Sequence, residues 1–159
     1  MELPPLSCGA IYDAAAIAVD ESDSAAGQVL LLGGSMRVVG VVSTVHLVDL
    51  ATGVCTPALV PDLLGRRSTF AAERLPDGRI VCAGGIGVFS SVYGPPAQVA
   101  PDAAWSWRQL PAMTAGRLGC GGCVMSDGRF AVLGGGSPGF GACEVLVTSD
   151  GAEHWEPLP

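Results

Sequence analysis

Along this chain, short apolar runs alternate with turns rich in glycine, proline and aspartate, and the runs come in sets. One set reads "AAAIAVD", "QVLLLGG" and "TVHLVDL"; a second "STFAAERL", "RIVCAGG" and "AQVAPD"; a third "GGCVMS", "RFAVLGG" and "CEVLVTSD". The first two runs of each set are apolar almost throughout rather than alternating, which predicts strands buried on both faces. The Asp-Gly turns Asp77-Gly78-Arg79 and Asp127-Gly128-Arg129 separate such runs and signal hairpins. Each second run ends on a glycine pair: Gly33-Gly34, Gly84-Gly85 and Gly134-Gly135, spaced 51 and 50 residues apart. Beyond each third run comes Cys55, Trp107 or Trp155, then a proline step in "LVPDLLGRR", "QLPAMTAGR" and the final "EPLP". One unit is therefore predicted to be four antiparallel strands, with units over 8–59, 66–111 and 117–159. Residues 1–7 are predicted to be the outer strand of a preceding unit.

A period near 50 built of four antiparallel strands is the signature of a propeller blade. Arginine, apolar strand, Asp-Gly turn, apolar strand, Gly-Gly, loop, strand, aspartate turn, tryptophan and Leu-Pro together resemble the kelch repeat. Three copies cover essentially the whole chain, and Arg67–Arg117 is the clearest. The first copy departs by carrying Cys55 where the others have tryptophan. In all three the usual tyrosine before the turn aspartate is replaced, by Val48, Pro101 and Ser149. "TSDGAEHW", Thr148–Trp155, also resembles the Asp-box of sialidase-type propellers, with Ala152 and His154 departing from it. Both resemblances imply one all-β domain over 1–159: a β-propeller portion of about three four-stranded antiparallel blades of kelch type, an incomplete ring. Three blades leave two sheet edges open, so the chain is expected either to be a segment of a longer propeller or to self-associate to close one.

Glycine has no Cβ and accepts positive φ. The six paired glycines are therefore read as structural, turning the chain sharply beside a crowded axis. The tryptophans are expected to cover gaps between neighbouring blades. In a meander, the loops after strands two and four share one end. That end collects Arg37, Arg66, Arg67 and Arg117, opposed mainly by Asp62, together with the loop bearing Tyr93. The opposite end collects Asp77, Asp127 and other acids. Kelch resemblance implies partner binding through such loops. The expected function is a protein-interaction scaffold, an adaptor or substrate receptor, whose binding residues Arg37, Arg66, Arg67, Arg117 and Tyr93 take an acidic peptide segment by guanidinium–carboxylate pairing. The alternative for Arg66 and Arg117 is that they bond the glycine-rich turns of their own blade.

Composition narrows the rest. With 49% hydrophobic and 14% charged residues the chain supports a large core. A net charge of −7 argues against nucleic acid, which needs a basic stripe. No apolar run is long enough to span a membrane as a helix and no leader is visible, so a cytoplasmic protein with reduced thiols is expected. "CGGC", Cys120–Cys123, has the spacing of a redox or metal half-site, but it opens a strand rather than a helix, and zinc needs two further ligands. No nucleophile elbow is present. No catalytic residue, metal or cofactor is assigned. The alternative function is part of a carbohydrate-active or oxidase-type propeller enzyme, sialidase-like or galactose-oxidase-like.

Overall fold

The computed structural model describes residues 4–19, 27–57, 60–86, 98–100, 107–136, 141–149 and 151–159. Among them there is no helix. Three four-stranded antiparallel meanders follow one another along the chain. The first joins β2 (Ala15–Val19), β3 (Gln28–Leu32), β6 (Val45–Asp49) and β7 (Cys55–Pro57). The second joins β8 (Ala71–Arg74), β9 (Ile80–Ala83), β10 (Gln98–Ala100) and β11 (Arg108–Gln109). The third joins β12 (Gly121–Val124), β13 (Phe130–Leu133), β14 (Cys143–Ser149) and β15 (Ala152–Leu158). A small additional sheet, β1 (Ile11–Tyr12), β4 (Ser35–Met36) and β5 (Gly40–Val41), sits at one end of the first meander.

The apolar middle strands explain the packing. Side chains alternate across a strand, so neighbours in β9 enter different cores. Ile80 and Cys82 pack with Leu30, Leu32 and Phe70 toward the first meander. Val81 and Ala83 pack with Phe130 and Val132 toward the third. A strand between two such layers has no solvent side, and all four β9 residues are buried. Each leucine or valine buried this way contributes roughly 2 kcal/mol.

The meanders are also linked through backbone beside the glycine pairs. Gly34 N–H donates to the Arg67 carbonyl and Gly85 N–H to the Arg117 carbonyl, both at 2.7 Å. A second ladder steps from meander to meander: Thr69 N–H donates to Asp13, and Gly119 N–H to Thr69. Asp13, Thr69 and Gly119 all hold positive φ, so the three units join through equivalent turns.

Residues 4–8 form no strand, and the outer strand expected over 1–7 falls partly outside the described residues. Pro4 and Pro5 lack the N–H that a ladder needs, and the segment instead packs on the β6–β7 turn, with Ser7 N–H donating to the Gly53 carbonyl at 2.9 Å. Residues 35–43, expected as a loop, form a β-hairpin that continues as the small sheet.

Candidate functional site

The end of the molecule that carries the hairpin also carries the segments leading into the second and third meanders. Val42 N–H returns to the Gly34 carbonyl, Arg67 N–H bonds Val42, and Leu63 N–H bonds Ser43. The hairpin base is thus tied to segment 63–67. Asp62 is used in the same seam: its Oδ1 accepts from Val45 N–H at 3.2 Å.

The four described arginines of this end divide into two pairs. Arg67 is 0% exposed and Arg117 is 3% exposed. Neither presents a guanidinium to a peptide, so their expected role as exposed anchors is corrected. The cause lies in the glycine pairs. A positive φ turns the chain out of the ladder at the first glycine, and its carbonyl, set beside a buried arginine, needs another donor. Arg67 Nη1 donates to the Gly84 carbonyl at 3.1 Å, and Arg117 Nη1 donates to that of Gly134 at 2.9 Å and to that of Ala142. Arg67 also lies over the Phe70 ring, 5.7 Å from its centroid. The first meander has Ile11 at this place, with its Cγ2 only 2.6 Å from where a Cβ on Gly34 would stand.

Arg117 meets a partner that the sequence reading missed. Glu144, 1% exposed, accepts from Arg117 Nη2 at 2.7 Å and Nε at 3.2 Å, and from Thr114 N–H at 2.9 Å. Burial opposes its charge, but the Thr114 and Arg117 donors hold its carboxyl below the usual carboxylate range. The available signal was a glutamate alone inside the apolar run "CEVLV", a position that demands a buried partner.

Arg37 and Arg66 remain exposed. Arg37 opens the tip of the β4–β5 hairpin, followed by Val38 at 95% exposure and by exposed Val39. Exposed Tyr12 pairs with Ser35 at the hairpin base, and exposed Leu64 lies in the segment tied to it. Tyr93 lies outside the described residues. The structure therefore offers two guanidinium groups among aliphatic and aromatic side chains, in place of the expected five-residue site.

The fold can now be set beside known proteins. No protein-family model matches the chain, and no curated protein matches it. Among solved structures, that of YjhT resembles it with a TM-score of 0.64 at 14% identity, over 92% of this chain and 45% of that one. The likeness is one of fold, and the chain spans less than half the length of YjhT.

Elsewhere, the remaining clusters are occupied with each other. Glu153, from the Asp-box-like turn, takes a bidentate pair from Arg108 at 2.5 and 2.6 Å and a longer one from Arg79 at 3.4 Å, joining the second meander to the third. A cavity of about 220 Å³ beside it is rimmed by Arg79, Asp127, Arg129 and Glu153, whose charges are already paired. Cys120 is buried with its Sγ toward the Ala83 carbonyl at 3.7 Å, whereas Cys123 is half-buried in β12. Among the described residues, no group of three or more His, Cys, Asp or Glu could hold a metal ion, and no helix is long and apolar enough to cross a membrane. The two thiols that do meet are Cys8 and Cys55, with sulfurs 2.6 Å apart.

Proposed function

We propose that the three meanders are blades of a kelch-type β-propeller, and that the chain works as a protein-interaction scaffold gripping an acidic, partly apolar segment at its hairpin end. The supporting observation for binding is the β4–β5 tip. A two-stranded hairpin spends backbone order to hold Val38 and Val39 in solvent beside Arg37, and neither valine joins a core cluster. Aliphatic tips flanked by guanidinium groups suit a ligand that brings carboxylates around a hydrophobic residue. Arg66 and Leu64 extend the same surface.

Fluorescence anisotropy with a labelled peptide of alternating glutamate and leucine tests this against its lysine–leucine counterpart. The acidic peptide binds, and Arg37→Glu with Arg66→Glu weakens it about tenfold, while unchanged circular dichroism shows the fold is intact. Equal binding of both peptides, or none of the acidic one, overturns the reading.

The propeller assignment is supported by the three equivalent four-stranded units and by the fold likeness to a chain about twice as long. It requires a neighbour on the outward face of the third meander, where Leu133 is 41% exposed while its equivalent Leu32 is 0% exposed. Self-association that continues the ring is read directly from the mass of the 159-residue chain by sedimentation equilibrium.

A further inference from the structure

Cys55 stands where the other two meanders have tryptophan, and the ladders fix that equivalence. Leu30 pairs with Leu47 and Ala131 with Val145, which makes Val48 and Leu146 the next equivalent positions. Val48 pairs with Cys55, and Leu146 with Trp155. Trp107 directly precedes Arg108, which pairs with Val99, and Val99 pairs with Val81 as Leu47 does with Leu30. The tryptophans do one job. Trp107 Nε1 donates to the Pro61 carbonyl at 2.8 Å and Trp155 Nε1 to that of Pro111 at 3.0 Å. Each ties an outer strand to the proline-bearing segment that precedes its meander.

The first meander has such a segment, Pro4–Gly9, but no indole to hold it. Its place is taken by Cys8 against Cys55, framed by Ser7 N–H on the Gly53 carbonyl and Cys55 N–H on Ser7 Oγ at 2.8 Å. Both cysteines are free thiols, half-buried and still reachable. We propose that Cys8 and Cys55 are a modification site: a dithiol that closes to a disulfide with a low-molecular-weight disulfide such as oxidised glutathione, stapling the leading segment to the first meander where tryptophan clamps the others.

The exchange balances. The Cys55 thiolate attacks one glutathione sulfur, forming a mixed disulfide and expelling glutathione thiolate. The Cys8 thiolate then attacks the Cys55 sulfur, forming Cys8–Cys55 and expelling a second glutathione. Two protein thiols are oxidised, one glutathione disulfide is reduced, and the two protons pass to the released thiolates. The order follows the environment. Burial and then the adjoining Cys55 push the Cys8 thiol up to about 11, whereas Cys55 is held below its ordinary value, against burial, by hydrogen bonds from Cys8 and Ser7.

The full chain is equilibrated with oxidised and reduced glutathione, quenched in acid and digested. The expected product is a Cys8–Cys55 cross-linked peptide, with four of the six thiols still titratable in denaturant. The oxidised protein melts about 10 °C higher than the reduced one, and Cys8→Ser abolishes that difference. A Cys8→Ser, Cys55→Trp double variant supplies the indole instead and recovers part of the loss at every redox potential. Six titratable thiols after oxidation, or a link confined to another pair such as Cys120–Cys123, overturns the proposal. A Cys8–Cys55 link that leaves the melt unchanged overturns its role as a staple.

Discussion

Gly84-Gly85 and Gly134-Gly135 share one backbone and differ in what surrounds it. Their φ values are 75° and 90° in the first pair, 64° and 100° in the second. At Gly84 an added Cβ would stand 2.7 Å from Cys120 Sγ and 2.9 Å from the Arg117 carbonyl; at Gly134 it would meet nothing within 4 Å. Gly85 N–H bonds the next meander's Arg117 carbonyl. Among the described residues Gly135 N–H has no such partner. The residue before each pair follows suit, Ala83 buried and Leu133 exposed. The conformation is therefore written into each copy locally, while the close packing is made by the copy that follows. One glycine pair serves two separable needs, a left-handed turn and a tight approach.

That separation can be broken at several strengths. The strongest test removes Glu144, which would strand the buried Arg117 guanidinium. Glu144→Ala is expected to cost about 4 kcal/mol in urea unfolding; a loss under about 1 kcal/mol would show that this pair is not the interior anchor described. Next come the equivalent leucines. Leu32→Ala opens a cavity inside the first core and costs about 3 kcal/mol. Leu133→Ala costs under about 1 kcal/mol in the monomer, where its face is open. Equal losses would mean that the third meander is covered in solution. The glycines follow. Gly134→Ala bears only the left-handed backbone, about 1 kcal/mol. Gly84→Ala adds a clash with the Arg117 carbonyl and costs about 2–3 kcal/mol, read by the same denaturation.

How much of this was legible depends on the range of the interaction. Glycine pairs, Asp-Gly-Arg turns and continuous apolar runs act within a few residues. They placed the four-stranded units and the positive φ of the paired glycines; of the first and second strands expected to be buried on both faces, β9 is buried throughout, whereas β2 and β12 carry exposed residues. The alternative that Arg117 bonds a glycine turn of its own unit holds at Gly134, whereas in the second unit it was assigned to Arg66 and it is Arg67 that reaches the Gly84 carbonyl, 17 residues onward. Glu144 stood out as a charge inside an apolar run, but its pairing with Arg117, like the Cys8–Cys55 contact, depends on register within a unit, and the Glu153 bridge depends on which units touch. The hairpin over 35–43 was missed because "SMRVVGVVS" has few turn formers; Gly40, at φ 80°, is what lets it reverse.

The mildest test concerns the Asp-Gly-Arg turns, the same in both copies until their arginines look outward. Asp77 and Asp127 each accept from the backbone N–H and the guanidinium of Arg79 and Arg129, with matching lengths. Only Arg79 has a following meander to reach, and there it meets Glu153, already paired with Arg108. The Arg108 hydrogen bonds, against burial, hold the Glu153 carboxyl below the usual range. A carboxyl whose pKa is lowered by folding stabilises the protein above the unfolded value, near 4.3, and that contribution is lost as pH falls through the lower folded value. With Arg108 46% exposed, solvent screening limits the pair to about 1 kcal/mol. Glu153→Gln should therefore lower the melting temperature by about 3 °C at pH 7. The gap to wild type should stay level down to about pH 5 and close at lower pH. Glu144 titrates in the same acid window in both proteins, so the difference curve isolates Glu153. A gap that widens on acidification would mean that Glu153 is not held as the ionised partner of Arg108, and the bridge between the second and third meanders would have to rest on their apolar core alone.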